Sequence, residues 1–408
     1  MRILLVFPFV PYPPDDGGRI GFFNPIKYLS RSNDVSVVTF AKREDEDAVK
    51  GLKGICESVF VFNRPAGDRY RLIRGVFGNP PASSAKYWHV KAGEFIRSVA
   101  SSRRSEIVEF HHLNTAAYRP FVADIPAILR EHNVEYKVWE RYAKSAPRFI
   151  ERSYARWMAP RVRDYEAKCA ANFDRCVVVS KADAAFLKAI SPGSAIEVVP
   201  SGVDTEYFRP IDLAEEPFSI TMTGSFGWPP KQQSLLALFK RVIPRIKALV
   251  PQARFYIVGK GIPEYLRDIG RQTDGLTIVG EVSDVRPYVA RSALLINYLE
   301  SGGGIALKLL EAMAMQRPVL SNALGSEGIE VEHGRDVFVA DGPEAFAAAA
   351  ACLLKDQGMR YRLAAEGYRK VLASYSWNSI ATRFADIYHD LVIRRREPSN
   401  LLAEAAHV

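Results

Sequence analysis

The chain has 408 residues, which allows two or three domains, and its 48% hydrophobic and 25% charged residues exclude an intrinsically disordered protein. Lys and Arg exceed Asp and Glu by 55 − 46 = 9, so acidic partners are expected: phosphates, nucleic acid or an anionic membrane face. Cys56, Cys169, Cys176 and Cys352 show no paired metal spacing, as expected of buried thiols in a reducing cytoplasm.

The opening "MRILLVFPFVPYPPDDGG" is too short and too proline-broken for a signal peptide. No apolar run reaches the ~18 residues needed to span a bilayer; "AFAAAAACLL" reads as an alanine-rich helix. In chain order, "RILLVF", "DVSVVTF", "SVFVFN", "EIVEFH", "PAILREH" and "RCVVVS" read as strands separated by helical stretches. Continuous β-branched runs point to strands buried on both faces, hence a parallel sheet covered by helices. The alternation pauses at "IEVVPSGVDTEYFRPIDLAEEP", where Pro200, Pro210 and Pro217 mark a linker. It resumes with "FSITMTG", "RFYIVG", "GLTIVG", "ALLINYL" and "RPVLSN".

The expected fold is therefore α/β: two doubly wound, Rossmann-like parallel-sheet domains facing a central cleft. Residues 1–200 form the first and 201–375 the second. A last helix over 376–396 is expected to pack back on the first domain, with 397–408 a frayed tail. In such sheets ligands sit outside the carboxyl ends of the strands.

The stretch "YLESGGGIALKLLEAMAMQRPVL" places Gly302, Gly303 and Gly304 between a strand and a helix. Glycine lets backbone approach a ligand closely, and a helix start offers unpaired N–H groups with about half a positive charge. Together these make a phosphate cradle. Gly304, Lys308 and Glu311 fall on one helix face, so Glu311 could reach the ribose of a nucleotide whose phosphates lie at the glycines. The plain alternative is a glycine turn before a core helix, with Lys308 and Glu311 solvated. Asp45 and Asp47 in "DED" imitate a metal–diphosphate motif, but they lie at a charged helix start and read as a solvated face. "GKGIPEYL" imitates a dinucleotide fingerprint without its third glycine.

"SGGGIALKLLEAMAMQRPVLSN" resembles the donor-site segment of glycosyltransferase family 4, the retaining GT-B enzymes. "VVPSGVDTEYFRP", "GSFGWPPKQQSLLALFKRVIPRI", "PQARFYIVGKG" and "FDRCVVVSKADAAFL" resemble further segments of that family, in the family's order and over nearly the whole chain. The resemblance implies a GT-B fold and a nucleotide-sugar donor. It implies ribose contact for Glu311, and it puts Gly302, Gly303, Gly304, Ile305 and Lys308 at the donor. The first glutamate of the family's paired-glutamate motif is replaced by Gly303. Glu300 lies three residues off register and is no substitute.

The diphosphate arginine of many members is Ser225 here, and Lys231 is the remaining cation. Gly17 and Gly18 match the glycine pair under the diphosphate, and Gly259 and Gly261 match a loop near the base. His111 aligns with a histidine that contacts the donor sugar, and His112 is the adjacent alternative. His132, Asn133 and Glu135, after "PAILRE", are expected acceptor or sugar contacts. Lys231, Glu311 and His111 are the expected catalytic set.

The implied reaction is metal-independent, retaining sugar transfer to an acceptor hydroxyl, a hexosyltransferase activity in polysaccharide or cell-envelope glycan assembly. No cofactor is expected. The expected partners are a nucleotide sugar and a glycan or lipid-linked acceptor. Nine Lys/Arg against four Asp/Glu between Lys137 and Lys168, mixed with aromatic residues, suit an anionic membrane surface at the cytoplasmic face, or else a solvated helix face. No nucleic-acid-binding pattern is present. The competing readings are a nucleotide-sugar 2-epimerase of the same architecture and a non-catalytic sugar-nucleotide-binding protein.

Overall fold

The apolar runs form strands buried on both faces. In β1 (Arg2–Phe7) every residue after Arg2 is buried, and in β2 (Asp34–Ala41) every residue after Asp34. β4 (Ile107–His111), β5 (Ala127–Glu131) and β11 (Ser292–Asn297) are buried throughout. Such strands pair in parallel because helices must cover both faces. The computed structural model describes residues 1–14, 17–41, 45–63, 81–85, 87–146, 148–300 and 306–396. The chain forms two units: Met1–Pro200 together with the chain from Ala381 on, and Ser201–Ile380.

The first unit's sheet runs β3-β2-β1-β4-β5-β6-β7, with β3 at Ser58–Asn63, β6 at Arg175–Val178 and β7 at Ile196–Val198. The second unit's runs β10-β9-β8-β11-β12-β13. Here β8 is Glu216–Thr223, β9 Arg254–Val258, β10 Leu276–Gly280, β12 Val319–Ser321 and β13 Phe338–Val339. Both orders start at a central strand, wind outward, and restart on its other side. Each sheet thus has a switch point, between β1 and β4 in one unit and between β8 and β11 in the other.

Two strands depart from the sequence reading. "IEVV" was assigned to the linker, yet Ile196–Val198 adds a seventh strand beside β6. It is three half-buried edge residues before Pro200, too few to show a period. β13 is two residues long and was not foreseen for the same reason.

Seven helices matter below: α1 (Gly17–Leu29), α2 (Glu46–Lys53), α3 (Glu135–Ser145), α4 (Phe149–Ala171), α5 (Pro229–Ala237), α6 (Leu307–Ala314) and α7 (Trp377–Arg396). Among the described residues no helix is long and apolar enough to cross a membrane. From Ala381 onward α7 belongs to the first unit, where Asp390 pairs with Arg175 at 3.1 Å.

The start of α3 depends on a buried charge. Val134, which precedes α3, gives no side-chain cap. Glu166, buried on α4, replaces it: its carboxylate accepts from the Glu135 N–H at 2.7 Å and the Tyr136 N–H at 3.0 Å. Burial pushes Glu166 up to about 7. Burial, and then the Glu166 charge, keeps neighbouring Glu131 well above the usual carboxylate range, so Glu131 stays protonated. Replacing Glu166 with alanine should leave two helix-start N–H groups unsatisfied and cost about 1–3 kcal/mol. Urea denaturation followed by circular dichroism measures this, and an unchanged midpoint would show that α3 is held otherwise.

Candidate active site

In the second unit the carboxyl ends of β8 and β11 are neighbours, and each feeds a helix carrying a lysine. After β8 the chain turns through Gly224–Trp228 into α5, which has proline at its first position and Lys231 at its third. Proline suits that position because the missing N–H would be unpaired anyway. After β11, Asn322 fixes the exit of the chain. Its side chain donates to the Leu299 carbonyl at 2.7 Å and accepts from the Leu299 N–H at 3.1 Å. Glu300 is drawn aside, taking the Tyr298 hydroxyl at 2.6 Å and pairing with Arg241 at 3.2 Å.

Lys308 on α6 leans against the β8 loop: a methyl group built on Gly224 would lie 3.2 Å from its Nζ. Burial, then the nearby Lys231 charge, lowers Lys308 to about 8, with Glu311 acting in the opposite sense. Burial raises Glu311 to about 7, partly offset by Lys308. Burial alone lowers Lys231. Lys308 and Glu311 each keep some exposed surface while protein surrounds them on most sides. Among the described residues none hydrogen-bonds or ion-pairs with the head group of Lys231, Lys308 or Glu311. Two cations thus converge beside a helix start without a bonded counter-charge. Like charges held together favour an anion between them.

Ser225 is exposed beside this turn. Gly302, Gly303, Gly304 and Ile305 lie outside the described residues. Gly259 and Gly261, the glycines expected in a loop near the base, pack against the β8 loop. Both have positive φ, +145° and +78°. A methyl on Gly259 would stand 1.7 Å from the Gly224 carbonyl oxygen, and one on Gly261 would stand 2.6 Å from the Gly227 nitrogen. Backbone bonds run alongside, from Gly224 N–H to Val258 O at 3.0 Å and from Phe226 N–H to Lys260 O at 2.7 Å. The two glycines therefore seat the β8 loop, and their Cα faces are covered by it.

In the first unit α1 begins at Gly17 and Gly18, beyond the carboxyl end of β1. His111 ends β4 and is wholly buried. Its Nε2 lies 3.0 Å from Glu109 Oε1 and its Nδ1 lies 3.4 Å from His132 Nε2, with Phe7 stacked on the ring at 4.1 Å. The ring has no exposed surface, so His111 lies inside the unit and not at the surface where the expected donor contact would be made. His112 has φ 73°, caps the short helix Leu113–Ala116 through Nδ1, and pairs with Glu135 at 3.0 Å through Nε2. Both of its ring nitrogens are committed as well, and so is the Glu135 carboxylate. His132 is part-exposed and Asn133 exposed. Asp45 caps no helix through its side chain, and Asp47 is 97% exposed and paired with Lys50.

Residues 21–207 match the family described as Glycosyltransferase Family 4, and residues 217–356 match Glycosyl transferases group 1. The two matches together show a glycosyltransferase similar to family 4. An uncharacterized 44.6 kDa protein in the cps region of Klebsiella pneumoniae is 24% identical, over 85% of this chain and 89% of that protein. The GDP-mannose-dependent alpha-(1-6)-phosphatidylinositol monomannoside mannosyltransferase of Mycobacterium tuberculosis is 28% identical, over 49% of this chain and 57% of that protein. This transferase thus spans little more than half the length of that mannosyltransferase. The crystal structure of Anabaena Alr3699/HepE in complex with UDP superimposes with a TM-score of 0.68 at 15% identity, covering 96% of this chain and 100% of that one. The fold is GT-B.

Two parts of the transferase's site escaped the sequence reading. Gly224 stood inside a quoted motif, but its closeness to Lys308 depends on strands far apart in sequence. Asn322 ends "VLSN" as a polar residue just past a buried strand, a signal that could have flagged it. Substituting Gly259 with alanine should displace the β8 loop and cost about 1–3 kcal/mol. Gly227→Ala, where a methyl meets nothing within 4 Å, should stay within about 0.5 kcal/mol. Paired thermal denaturation checks this; equal losses would mean the glycine contact does not seat the loop.

Proposed function

We propose that this glycosyltransferase moves a hexose from a nucleoside-diphosphate donor to the hydroxyl of a glycan or lipid-linked acceptor, with retention and without a metal. The observation that carries the reading is the Lys231–Lys308 pair, two converging cations with no bonded partner among the described residues. As the glycosidic bond breaks, the diphosphate gains negative charge, and fixed cations aimed there lower the barrier. Glu311, one turn beyond Lys308, would accept hydrogen bonds from the ribose hydroxyls. The bound UDP of the HepE structure and the GDP-mannose donor of the mycobacterial relative support a nucleotide-sugar donor. The cps-region and phosphatidylinositol mannoside relatives support a place in cell-envelope or polysaccharide assembly.

No single carboxylate stands out as a nucleophile for double displacement, and the family resemblance suggests attack on the donor's own face. The acceptor oxygen bonds to the anomeric carbon as the bond to the diphosphate breaks. The hydroxyl proton passes to the departing phosphate oxygen. The protein supplies placement and charge. Incubation with a panel of nucleotide sugars and a lipid-diphosphate sugar acceptor tests this. Transfer supports the reading, an isomerised donor would make the chain an epimerase, and binding without turnover would make it a sensor.

The lipid-linked form of the acceptor has its own support. At the start of α4, Phe149 and Ile150 are 73% and 79% exposed, beside Arg148 with an 82% exposed side chain. Tyr142, Tyr154 and Trp157 add exposed aromatic surface on α3 and α4. Apolar side chains among arginines match the interface of an anionic bilayer.

Two outcomes are expected. For the donor, kcat/KM should be bell-shaped: it falls in acid as Glu311 gains a proton near about 7, and in alkali as Lys308 loses one near about 8. The two groups interact, so the limbs belong to the pair. Glu311→Gln should remove the acid limb, and a profile flat across both values would discard these roles. Separately, the chain should float with phosphatidylglycerol vesicles at low salt. Phe149→Ser with Ile150→Ser should release it; equal binding by that double variant would place the membrane contact elsewhere.

A further inference from the structure

The proposed chemistry gives the diphosphate and the ribose partners in the second unit but leaves the transferred hexose without one. Several carboxylates stand near the carboxyl ends of β11 and β12. Glu300 is taken up by Tyr298 and Arg241. Asp341 accepts the Ala323 N–H at 2.9 Å, and Glu311 is assigned to the ribose. The glycine stretch 302–304 carries no acid. Glu327 is uncommitted: it is exposed, and among the described residues nothing hydrogen-bonds or ion-pairs with its carboxylate.

The loop that carries Glu327 is seated on the exit of β11. The two strands pair in parallel with Asn297 opposite Ser321, so they end side by side. Asn297 Nδ2 donates to the Gly325 carbonyl at 2.6 Å, and the Gly325 N–H donates to Asn322 Oδ1 at 3.1 Å. The same Asn322 side chain holds both backbone groups of Leu299. No side chain fits at 325, where a methyl would stand 2.5 Å from the Asn297 carbonyl oxygen. β11 also borders β8, whose loop leads to Lys231.

From that seat the chain makes one tight turn. Glu327 has φ −55° and ψ 137°, Gly328 has φ 84°, and the Ile329 N–H closes onto the Ser326 carbonyl at 3.2 Å. This is a type II β-turn, whose third residue needs positive φ and is glycine for that reason. Ser326 and Ile329 are buried, and the Tyr375 hydroxyl accepts the Glu330 N–H at 2.8 Å. The backbone under Glu327 is therefore fixed while its carboxylate is free. An ionised carboxylate only accepts hydrogen bonds. Its charge repels the diphosphate, whereas adjacent hydroxyls of a hexose suit its two oxygens.

We infer that Glu327 accepts hydroxyls of the hexose on the nucleotide donor and so takes part in selecting which hexose is transferred. The contact rests on the transferase reading; the turn and its seat on β11 do not.

Isothermal titration of the full chain with UDP-glucose, UDP-galactose and GDP-mannose, and with UDP and GDP, tests the contact. For the sugar nucleotide bound most tightly, Glu327→Gln should raise Kd about tenfold, the loss of a hydrogen bond to a charged group. The Kd of the matching nucleoside diphosphate should not move. Glu332→Gln, further along the chain and paired with Arg335 at the surface, should change neither. Gly328→Ala strains the turn at its positive φ and should weaken the sugar nucleotide in the same sense as Glu327→Gln.

In steady-state assays Glu327→Gln should also change the ratio of kcat/KM among the three donors. An unchanged Kd for the sugar nucleotide would overturn the contact, as would a loss shared equally by the bare nucleotide. Normal transfer with an unchanged ratio would overturn the role in selection. Failure of all three sugar nucleotides to bind the unaltered chain would instead overturn the transferase reading, and the contact with it.

Discussion

A parallel sheet delivers every strand's carboxyl end to the same edge, and everything functional in this chain follows from that. The loops gather there, as do the helix starts with their unpaired N–H groups and partial positive charge. Between β8 and β11 the sheet adds two lysines to that edge. The cost is visible in Lys308, lowered to about 8 by burial and by Lys231. An anion between the two lysines would offset that cost, which is the feature the proposed diphosphate reading rests on. Folding, rather than binding, sets the geometry.

The first unit handles charge in the opposite way. Glu109 is ringed by Arg130, Tyr388 and His111, and Glu166 spends both oxygens on the start of α3. Such groups are costly to bury, and removing one partner strands the other. Their return is position: β4, β5, α3 and the far end of α7 are tied through side chains that fit one register only. His111 pairs with Arg130 across β4 and β5 in that register. A one-residue slip would turn both side chains to the other face.

The strands were legible in the sequence because burial on both faces writes an unbroken apolar run. β7 and β13 were not, being edge pieces of three and two residues. Lys308 and Glu311 were legible as neighbours by spacing, since i, i+3 positions share one helix face, whereas Lys231 lies on α5 and was singled out only through the family resemblance. His111 was misjudged because its surroundings are non-local: Phe7, Glu109, His132 and Phe22 come from β1, β4, the end of β5 and α1. "EFHHLN" shows two histidines at a strand end and nothing of what covers them. The packing of Gly259 and Gly261 against the β8 loop was hidden for the same reason. A glycine that admits a ligand and one that admits a neighbouring loop look alike in sequence.

Ser225 carries no charge, so in the proposed reading the cations come from Lys231 on α5 and Lys308 on α6. With serine where many relatives carry arginine, the β8 turn supplies one cation fewer. Lys308 lies on α6 beside residue 224, where a built methyl would stand 3.2 Å from Nζ, so the lysine tip would have to give by a few tenths of an ångström. Gly224 is in turn held by a ladder bond to Val258 and by the bare Cα of Gly259. The charge thus comes from two elements in place of one loop, and a chain of glycines keeps them in register. An arginine restored at 225 would add a further cation beside Lys308, which burial and Lys231 already hold down, lowering it further.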